Sequence, residues 1–148
     1  MESVLVGVDH SEPSRRALRF ALKRARVSDW RVHVVHVINW SRWYDVPTLP
    51  QLEGRPIKMK EEQEATEKTL FKPLLELMGR EDLLEGLELT TSVHFGRPSE
   101  VLSGIAGAEG FDIVVVARTG DWNLKQAIFG STASRLVQHA PVPVVVVP

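Results

Sequence analysis

Five short segments of the chain have the hydrophobic pattern of β-strands. Four are nearly continuous apolar runs, at Val4–Val8, Val32–Ile38, Asp112–Val116 and Val142–Val147. Continuous apolar runs of this length are typical of strands buried on both faces, as in a parallel sheet. The fifth segment, Leu87–Val93, alternates apolar and polar residues. Alternation indicates a strand with one wetter face, at or near a sheet edge.

Helical spacing of apolar residues fills the intervals between these strands. Helices are predicted after the N-cap residue Ser11 and at Lys58–Met78, Ser99–Ala108 and Ala133–His139. Pro73 is expected to kink or split the second of them, because proline lacks the N–H that an inner helical turn requires. Strands and helices therefore alternate, which predicts an α/β fold. We expect an open parallel sheet with helices on both faces, in a single domain spanning residues 1–148.

The segment Ala117–Thr132 has features suited to binding an anion. It follows a predicted buried strand, contains Gly120, and ends in Gly130, Ser131 and Thr132 at a predicted helix start. The first N–H groups of a helix lack partners within the helix, and the helix dipole adds roughly half a positive charge there. Glycine lets a phosphate approach the backbone, and a hydroxyl can donate a further hydrogen bond. The pattern predicts a nucleotide-phosphate site; the alternative is that the glycines form turns and Ser131 caps the helix.

Asp9 stands at the carboxyl end of the first predicted strand, where open α/β sheets bind their ligands. Its carboxylate could accept a hydrogen bond from an adenine amino group or a ribose hydroxyl, or it could cap the helix that follows. His33 and His36 lie three residues apart in the second predicted strand, so they point to opposite faces. We interpret these two histidines as packed residues with local hydrogen bonds and not as ligands of one metal.

Composition narrows the function classes further. The chain has 148 residues, a formal net charge of −1 and no cysteine. A near-neutral charge gives no electrostatic reason to expect binding to nucleic acid or to an anionic membrane surface. The absence of cysteine excludes disulfides, a thiolate nucleophile and cysteine-based zinc sites. The first residues enter a predicted strand without the features of a signal peptide, and we find no apolar run long enough to span a membrane. We therefore expect a cytoplasmic protein.

Two segments raise the question of partners. Asn39–Ile57 carries three prolines, a glycine and the aromatic residues Trp40, Trp43 and Tyr44. This composition predicts a loop that forms a lid, contacts a partner or covers the sheet locally. Val144–Val147 would expose an apolar sheet edge, which is an aggregation hazard unless it is covered. The same strand of a second copy would cover it in a two-fold homodimer; otherwise the strand is internal or covered by its own chain.

Taken together, the motifs resemble those of the universal stress protein family. The family pattern is Gly, two residues, Gly, nine residues, Gly, then Ser or Thr; Gly120, Gly130 and Ser131 match it, and Ala117 stands at the first glycine. The opening VLVGVDHSEPSRRAL, the strand HVVHVI, the turn Gly96-Arg97-Pro98, the strand FDIVVVA and the ending APVPVVVV are similar to the family's other elements. The resemblance covers nearly the whole chain except the segment from Trp40 to Ile57.

The resemblance implies a Rossmann-like, adenine nucleotide alpha hydrolase-like fold, with a five-stranded sheet of order 3-2-1-4-5 that is often dimerised through its last strand. It also implies the glycine-motif branch of the family, which binds ATP, here together with Mg²⁺. Asp9 and the backbone around Val37 would then contact adenine, Ala117 would lie near the ribose, and the glycine and hydroxyl residues would hold the phosphates. The candidate nucleotide-binding residues are Gly7, Val8, Asp9, Val37, Ile38, Ala117, Arg118, Gly120, Gly130, Ser131 and Thr132.

Ala117 is the departure from the family pattern. Alanine would be strained there if the position needs a positive φ, and tolerated if it needs only a close approach. Micromolar binding requires about 8 kcal/mol, whereas a helix terminus contributes about 0.3–2 kcal/mol. Contacts to adenine, the Mg²⁺ ion and a cation such as Arg118 or Lys125 would have to supply the rest.

The sequence contains no recognisable catalytic constellation. No Walker A lysine precedes Gly130, the kinase motifs are absent, and Asp121 has no marked partner for orienting a water molecule. The favoured interpretation is a nucleotide-binding regulator of the stress response that acts as a homodimer. The alternatives are a slow ATPase or phosphotransferase, and an interaction dimer of the same fold that binds no nucleotide.

Overall fold

The computed structural model describes residues 1–39, 49–120 and 130–148, with the backbone alone for residues 49–52. The strands within these ranges are β1 Ser3–Gly7, β2 Arg31–Ile38, β3 Leu89–Phe95, β4 Ile113–Ala117 and β5 Val144–Val147. The helices are α1 Glu12–Ser28, α2 Leu49–Thr66, α3 Lys72–Arg80, α4 Pro98–Ala108 and α5 Ser131–His139, and a π-helical turn at Glu67–Phe71 joins α2 to α3. The strands form one sheet of order β3-β2-β1-β4-β5, and every neighbouring pair is parallel. The predicted fold class and strand order are confirmed.

Helices cover both faces of the sheet, as the alternation of strands and helices predicts. On one face, Val4, Val6 and Val34 pack with α1 and α3 in a buried cluster. On the other face, Leu5 and Val35 pack with Leu102 of α4 and Leu136 of α5, among others. Because successive residues of β1 alternate between two apolar layers, its central residues Val4, Leu5 and Val6 must all be apolar.

The strand β3 lies at one edge of the sheet, and none of its residues is fully buried. This position confirms the interpretation of its alternating sequence. The strand extends from Leu89 to Phe95, two residues later at each end than the alternation predicts. Its limits follow from pairing with β2, in which Val32 lies opposite Leu89 and Ile38 opposite Phe95.

The prediction of a loop throughout Asn39–Ile57 is wrong for its second half. The helix α2 begins at Leu49, and Pro56 lies inside it. Pro50 occupies the first turn, where a missing N–H costs nothing, and Pro56 removes one inner donor without ending the helix. The first half of that prediction, which includes Trp40, Trp43 and Tyr44, lies outside the described residues.

None of the helices in the described ranges is long and apolar enough to cross a membrane.

Pro73 divides the long helical segment, as predicted. The π-helical turn Glu67–Phe71 comes immediately before α3, and Pro73 is the second residue of that helix. A proline cannot donate to the carbonyl four residues earlier, and its ring collides with that carbonyl in a regular helix. The wider π-helical turn thus separates α2 from α3 at the proline.

Candidate functional site

A cleft of about 660 Å³ opens at the carboxyl ends of the central strands. Its walls come from the residues that follow β1 and β4, from the ends of β2 and the β3–α4 turn, and from the start of α5. Between β1 and β4 the order of the strands reverses direction along the chain. Open α/β sheets bind ligands at such switch points, because the two loops leave the sheet in opposite directions and a crevice forms between them.

Asp9, on the β1 side of the cleft, organises the start of α1. Its Oδ1 accepts hydrogen bonds from the backbone N–H of Ser11 at 2.9 Å and from Oγ of Ser14 at 2.8 Å, and also from Oγ of Ser11. Ser14 is 3% exposed, and its Oγ accepts the N–H of Asp9 at 2.8 Å. The helix-capping interpretation of Asp9 is therefore confirmed for Oδ1.

The other oxygen of Asp9 lies against the β4 side of the cleft. A Cβ atom placed on Gly120 would lie 2.6 Å from Oδ2 of Asp9, which is closer than such atoms approach one another. Only glycine therefore lets the chain after β4 approach Asp9 this closely. The two halves of the candidate site, separated by more than a hundred residues of sequence, meet at this contact.

Gly130 is the residue immediately before α5, and it packs against the residues that follow β4. Its N–H donates to the carbonyl of Arg118 at 2.7 Å, and a Cβ there would lie 3.3 Å from that oxygen and 3.4 Å from Cα of Thr119. With φ at −69°, Gly130 is needed for this close approach and not for a left-handed conformation. Any larger residue would have to push the two backbone segments apart.

The structure makes Gly130 the N-cap of α5, and among the described residues no side-chain cap bonds to the first helical N–H groups. The helix starts at Ser131, two residues before the predicted start at Ala133, and the alternative that Ser131 is its cap is wrong. A glycine cap offers no acceptor to these donors. Within the described residues, the N-terminus of α5 therefore presents backbone N–H groups without a side-chain cap, and the positive end of the helix dipole, at the wall of the cleft.

All the candidate residues from the sequence except Ile38 line the cleft; they are Gly7, Val8, Asp9, Val37, Ala117, Arg118, Gly120, Gly130, Ser131 and Thr132. Ile38 is the last residue of β2, and its carbonyl accepts the N–H of Gly96 at 3.0 Å. That hydrogen bond holds the β3–α4 turn beside the end of β2. Two other residues named from the sequence, Asp121 and Lys125, lie outside the described residues.

Ala117 is the last residue of β4 and lies opposite Val147 of β5. Among the described residues, the non-glycine positions with positive φ are Asp29 and Asp82, so Ala117 is not strained by its side chain. Position 117 does not have the positive φ at which alanine would be strained. One additional methyl group at the wall of the cleft is the remaining difference from glycine.

Several residues of the cleft were not expected from the sequence, among them His36, Arg97, Ser99 and Arg135. Arg97 belongs to the turn Gly96-Arg97-Pro98, whose Gly96 has a φ of 140° that favours glycine. The sequence identifies that turn as a family-like motif but does not predict that it lines the candidate site. Arg135 follows Ser131 by four residues, so both lie on the same face of α5. Helical spacing from Ser131 would have identified it.

The cleft is cationic although the chain is nearly neutral. Arg97, Arg118 and Arg135 belong to its described lining, and Asp9 is the carboxylate found there. Arg97 also lies 3.6 Å from Glu100 in an exposed ion pair. Such a pair is worth little in water and leaves the guanidinium available to an anion. Three arginines therefore line the cleft that the start of α5 borders.

The two histidines of β2 have separate local roles, as predicted. Nδ1 of His36 donates to the carbonyl of Val8 at 2.8 Å, and its ring meets His10 edge-on at 5.7 Å. His33 bonds to Oγ1 of Thr90 at 2.6 Å and to Oγ of Ser92 at 2.8 Å. Burial lowers the pKa of His33 below its usual value of 6.5; Glu109 opposes this shift and His94 adds to it. No group of three acidic, histidine or cysteine residues able to hold a metal occurs in the described ranges.

The sequence profile described as the universal stress protein family matches residues 1–148. The fold is that of an α/β protein with a cleft at the switch point of a parallel sheet. The chain belongs to the universal stress protein family. It is 27% identical over 147 residues to a universal stress protein of Methanocaldococcus jannaschii, covering 99% of this chain and 81% of that protein.

Solved structures of the family share the fold. Universal stress protein UspA of Lactobacillus plantarum has a TM-score of 0.74 at 22% identity, covering 99% of this chain and 97% of that one. The universal stress protein of Archaeoglobus fulgidus in complex with dAMP has a TM-score of 0.63 at 22% identity, covering 100% and 98% of the two chains. A universal stress protein in complex with cAMP has a TM-score of 0.67 at 18% identity, covering 99% and 97%.

Proposed function

We propose that this chain binds an adenine nucleotide, ATP together with Mg²⁺, in the cleft between β1 and β4. The observation that carries the proposal is the glycine-lined approach of Gly120 and Gly130 beside the uncapped start of α5. A Cβ at Gly120 would collide with Oδ2 of Asp9 and one at Gly130 would crowd the carbonyl of Arg118, so the two glycines let the chain around the start of α5 pack this closely and leave its backbone N–H groups beside the cleft. Adenine nucleotides bound to two relatives of the same fold support the choice of ligand.

The residues of the cleft fit the parts of such a ligand. We assign the adenine ring to Asp9 and to the backbone at Gly7, Val8 and Val37, and the ribose to the surroundings of Ala117. The phosphates would lie against the backbone of Gly120 and Gly130 and the hydroxyls of Ser131 and Thr132. Arg118 and Arg135 would supply the positive charge that a helix terminus of about 0.3–2 kcal/mol cannot supply alone.

In this proposal, Mg²⁺ binds together with the phosphates of the nucleotide. Mg²⁺ in nucleotide sites keeps several water ligands and takes the remainder largely from phosphate oxygens. The described residues hold no cluster of three acidic, histidine or cysteine side chains that could bind it independently. We therefore expect the ion to enter with the nucleotide.

Calorimetric titration of the purified protein with ATP and Mg²⁺ tests the proposal, with Gly130→Lys as the blocking variant. A lysine at position 130 must displace the carbonyl of Arg118 or extend into the cleft, because its Cβ would lie 3.3 Å from that oxygen. The matched control is Gly104→Lys, since Gly104 is exposed on α4 and a Cβ there meets no atom within 4 Å. Saturable binding that is lost only in Gly130→Lys is the expected result; no binding by the wild-type protein would contradict the proposal.

We further propose that residues 1–148 form one domain that acts in the cytoplasm as a homodimeric regulator of the stress response. The dimer contact would be β5, which lies at a sheet edge and whose residues Val144, Val145 and Val146 are only partly buried. An apolar edge strand is stabilised when a second strand covers it. Sedimentation equilibrium is expected to show twice the chain mass with and without ATP. A monomer throughout the micromolar range would contradict the dimer.

A further inference from the structure

A second cavity, of about 300 Å³, lies on the α1–α3 side of the turn that follows β1. Asp9 and His10 separate it from the larger cleft, and α1, the π-helical turn and α3 form its other walls. It has less than half of the 660 Å³ of that cleft, and no glycine is among its described lining residues. The cavity is therefore unsuited to a nucleotide and requires a separate explanation.

The floor and the rim of this cavity have different chemistry. The floor is apolar: Leu70 and Leu74 are 5% and 4% exposed, and Leu77 and Pro73 extend the same surface. The exposed residues Arg15, Arg80, His10 and Thr69 complete the lining. An apolar floor with two arginines in the same lining suits a ligand with a hydrophobic body and an anionic end.

The two arginines can bind an anion at small cost. Arg80 forms no ion pair with any residue in the part of the chain that the structure describes, and it closes the end of α3. Arg15 lies 3.2 Å from Glu12, but both side chains are about half exposed, at 49% and 54%. Exposed pairs of this kind contribute little, so a second carboxylate can share the guanidinium of Arg15. The nearest carboxylate in the lining, Asp9, has its Oδ1 occupied by Ser11 and Ser14.

The π-helical turn and α3 form one side of the cavity. They supply six of its lining residues, which are Thr69, Leu70, Pro73, Leu74, Leu77 and Arg80. Oγ1 of Thr69 lies 3.4 Å from Nε2 of His10, which connects the π-helical turn to the residues that follow β1.

We propose that this cavity binds a small amphipathic carboxylate, with its apolar body against Leu70, Leu74 and Leu77 and its carboxylate between Arg15 and Arg80. Guanidinium groups bind carboxylates through paired, charge-assisted hydrogen bonds, while the apolar body gains from leaving water. This site is independent of the nucleotide proposed for the larger cleft.

Isothermal titration of the nucleotide-free protein with 4-phenylbutyrate tests the site, and 4-phenylbutan-1-ol serves as the ligand control. Both compounds have the same apolar body, so only the carboxylate distinguishes them. Saturable binding of the acid, at least tenfold tighter than any binding of the alcohol, is expected. Arg80→Gln should weaken binding of the acid at least tenfold, whereas Lys72→Gln, an exposed charge of the same helix that does not line the cavity, should not change it. No saturable binding, or equal binding of acid and alcohol, would overturn the proposal.

Two further variants locate the bound probe. Gly130→Lys obstructs the larger cleft and should leave binding of 4-phenylbutyrate unchanged. Thr69→Phe fills the smaller cavity from an exposed position of the π-helical turn and should abolish binding without lowering the melting temperature. Loss of binding in Gly130→Lys with full binding in Thr69→Phe would place the probe in the larger cleft and refute the second site.

Discussion

Two helices, α1 and α5, start at the same edge of the sheet, but their first turns are satisfied in opposite ways. The start of α1 is capped by its own chain: Oγ of Ser11 accepts the N–H of Ser14 at 3.4 Å, and Asp9 bonds to both serines. The start of α5 has Gly130 as its N-cap and, in the part of the chain that the structure describes, no side-chain cap. Both helix starts border the cleft, since Asp9, Ser14, Gly130 and Ser131 belong to its lining.

The difference separates a structural helix start from one that is suited to a ligand. Side-chain caps at α1 satisfy the donors of the first turn and stabilise the fold without any partner. The donors at α5 have no such cap among the described residues, and a helix start of this kind is suited to an anion. The same secondary structure therefore serves the fold at one wall of the cleft and the proposed ligand at the other.

The largest expected effect comes from making the start of α5 resemble that of α1. Gly130→Asp introduces an acceptor for the donors of the first turn and a negative charge where a phosphate would lie. We expect ATP affinity, measured by calorimetry, to fall at least a hundredfold, which is about 3 kcal/mol. The melting temperature should change little, because the new cap offsets the crowding at 3.3 Å from the carbonyl of Arg118. The control is Gly104→Asp; unchanged ATP affinity in Gly130→Asp would invalidate the comparison.

Gly120→Ala tests the contact that joins the two sides of the cleft. Its new Cβ would lie 2.6 Å from Oδ2 of Asp9, so Asp9 or the chain after β4 must move. We expect the free energy of unfolding in urea to fall by about 1–3 kcal/mol, as is usual for overpacked sites. The matched Gly104→Ala, with open space around its Cβ, should be neutral or stabilising by up to about 1 kcal/mol. Equal stability of the two variants would show that the sides of the cleft are not tightly joined.

Removing one serine hydroxyl at each helix start measures what that hydroxyl contributes to folding stability and to ATP binding. Ser11→Ala deletes the N-cap of α1 and should lower the free energy of unfolding by about 1 kcal/mol. Ser131→Ala deletes a hydroxyl at the first helical position, after the N-cap Gly130, and should change stability by less than about 0.5 kcal/mol, while weakening ATP binding. Urea denaturation gives the free energy of unfolding of each variant, and calorimetry gives its affinity for ATP. Similar losses of stability in the two variants would contradict the assignment of roles.

The smallest expected effect is a pH dependence of folding stability that arises from His33, away from both helix starts. Burial lowers the pKa of His33 in the folded chain below the value of 6.5 expected when unfolded. The unfolded chain therefore binds more protons than the folded chain as the pH falls below about 6.5, and stability decreases in that direction. Thermal melts at pH 7.5 and 5.5 should show a smaller decrease for His33→Gln than for the wild type. The exposed His139→Gln is the control, and an identical decrease in His33→Gln would argue against this contribution.

Much of the cleft could be anticipated from local sequence patterns. The apolar runs predict buried parallel strands, and the serine after Asp9 predicts a capped helix at the strand end where ligands bind. The spacing of Gly120, Gly130 and Ser131 carries the resemblance to the family to which the chain belongs. These features were accessible because backbone preferences, capping and the alternation of buried faces depend on residues close together in sequence.

Other features depend on residues that are far apart in sequence, and they could not be read from it. Asp9 and Gly120 approach each other only because β1 and β4 are neighbours in the sheet, with Val6 opposite Val115. Arg97 joins the cleft because the carbonyl of Ile38 holds the turn that carries Gly96. The start of α2 at Leu49 contradicted the expectation drawn from its prolines, which reflect local preference alone.

The sequence by itself determined the type and order of the elements and the polar residues that end the central strands, because these follow from short-range preferences. Only the tertiary structure decided which oxygen of Asp9 serves the helix and which faces Gly120, and that the first donors of α5 have no side-chain cap. It also decided that the π-helical turn and two arginines enclose a second cavity. The physical reason is that strand register and helix packing set distances between side chains, and the identities of neighbouring residues do not encode those distances.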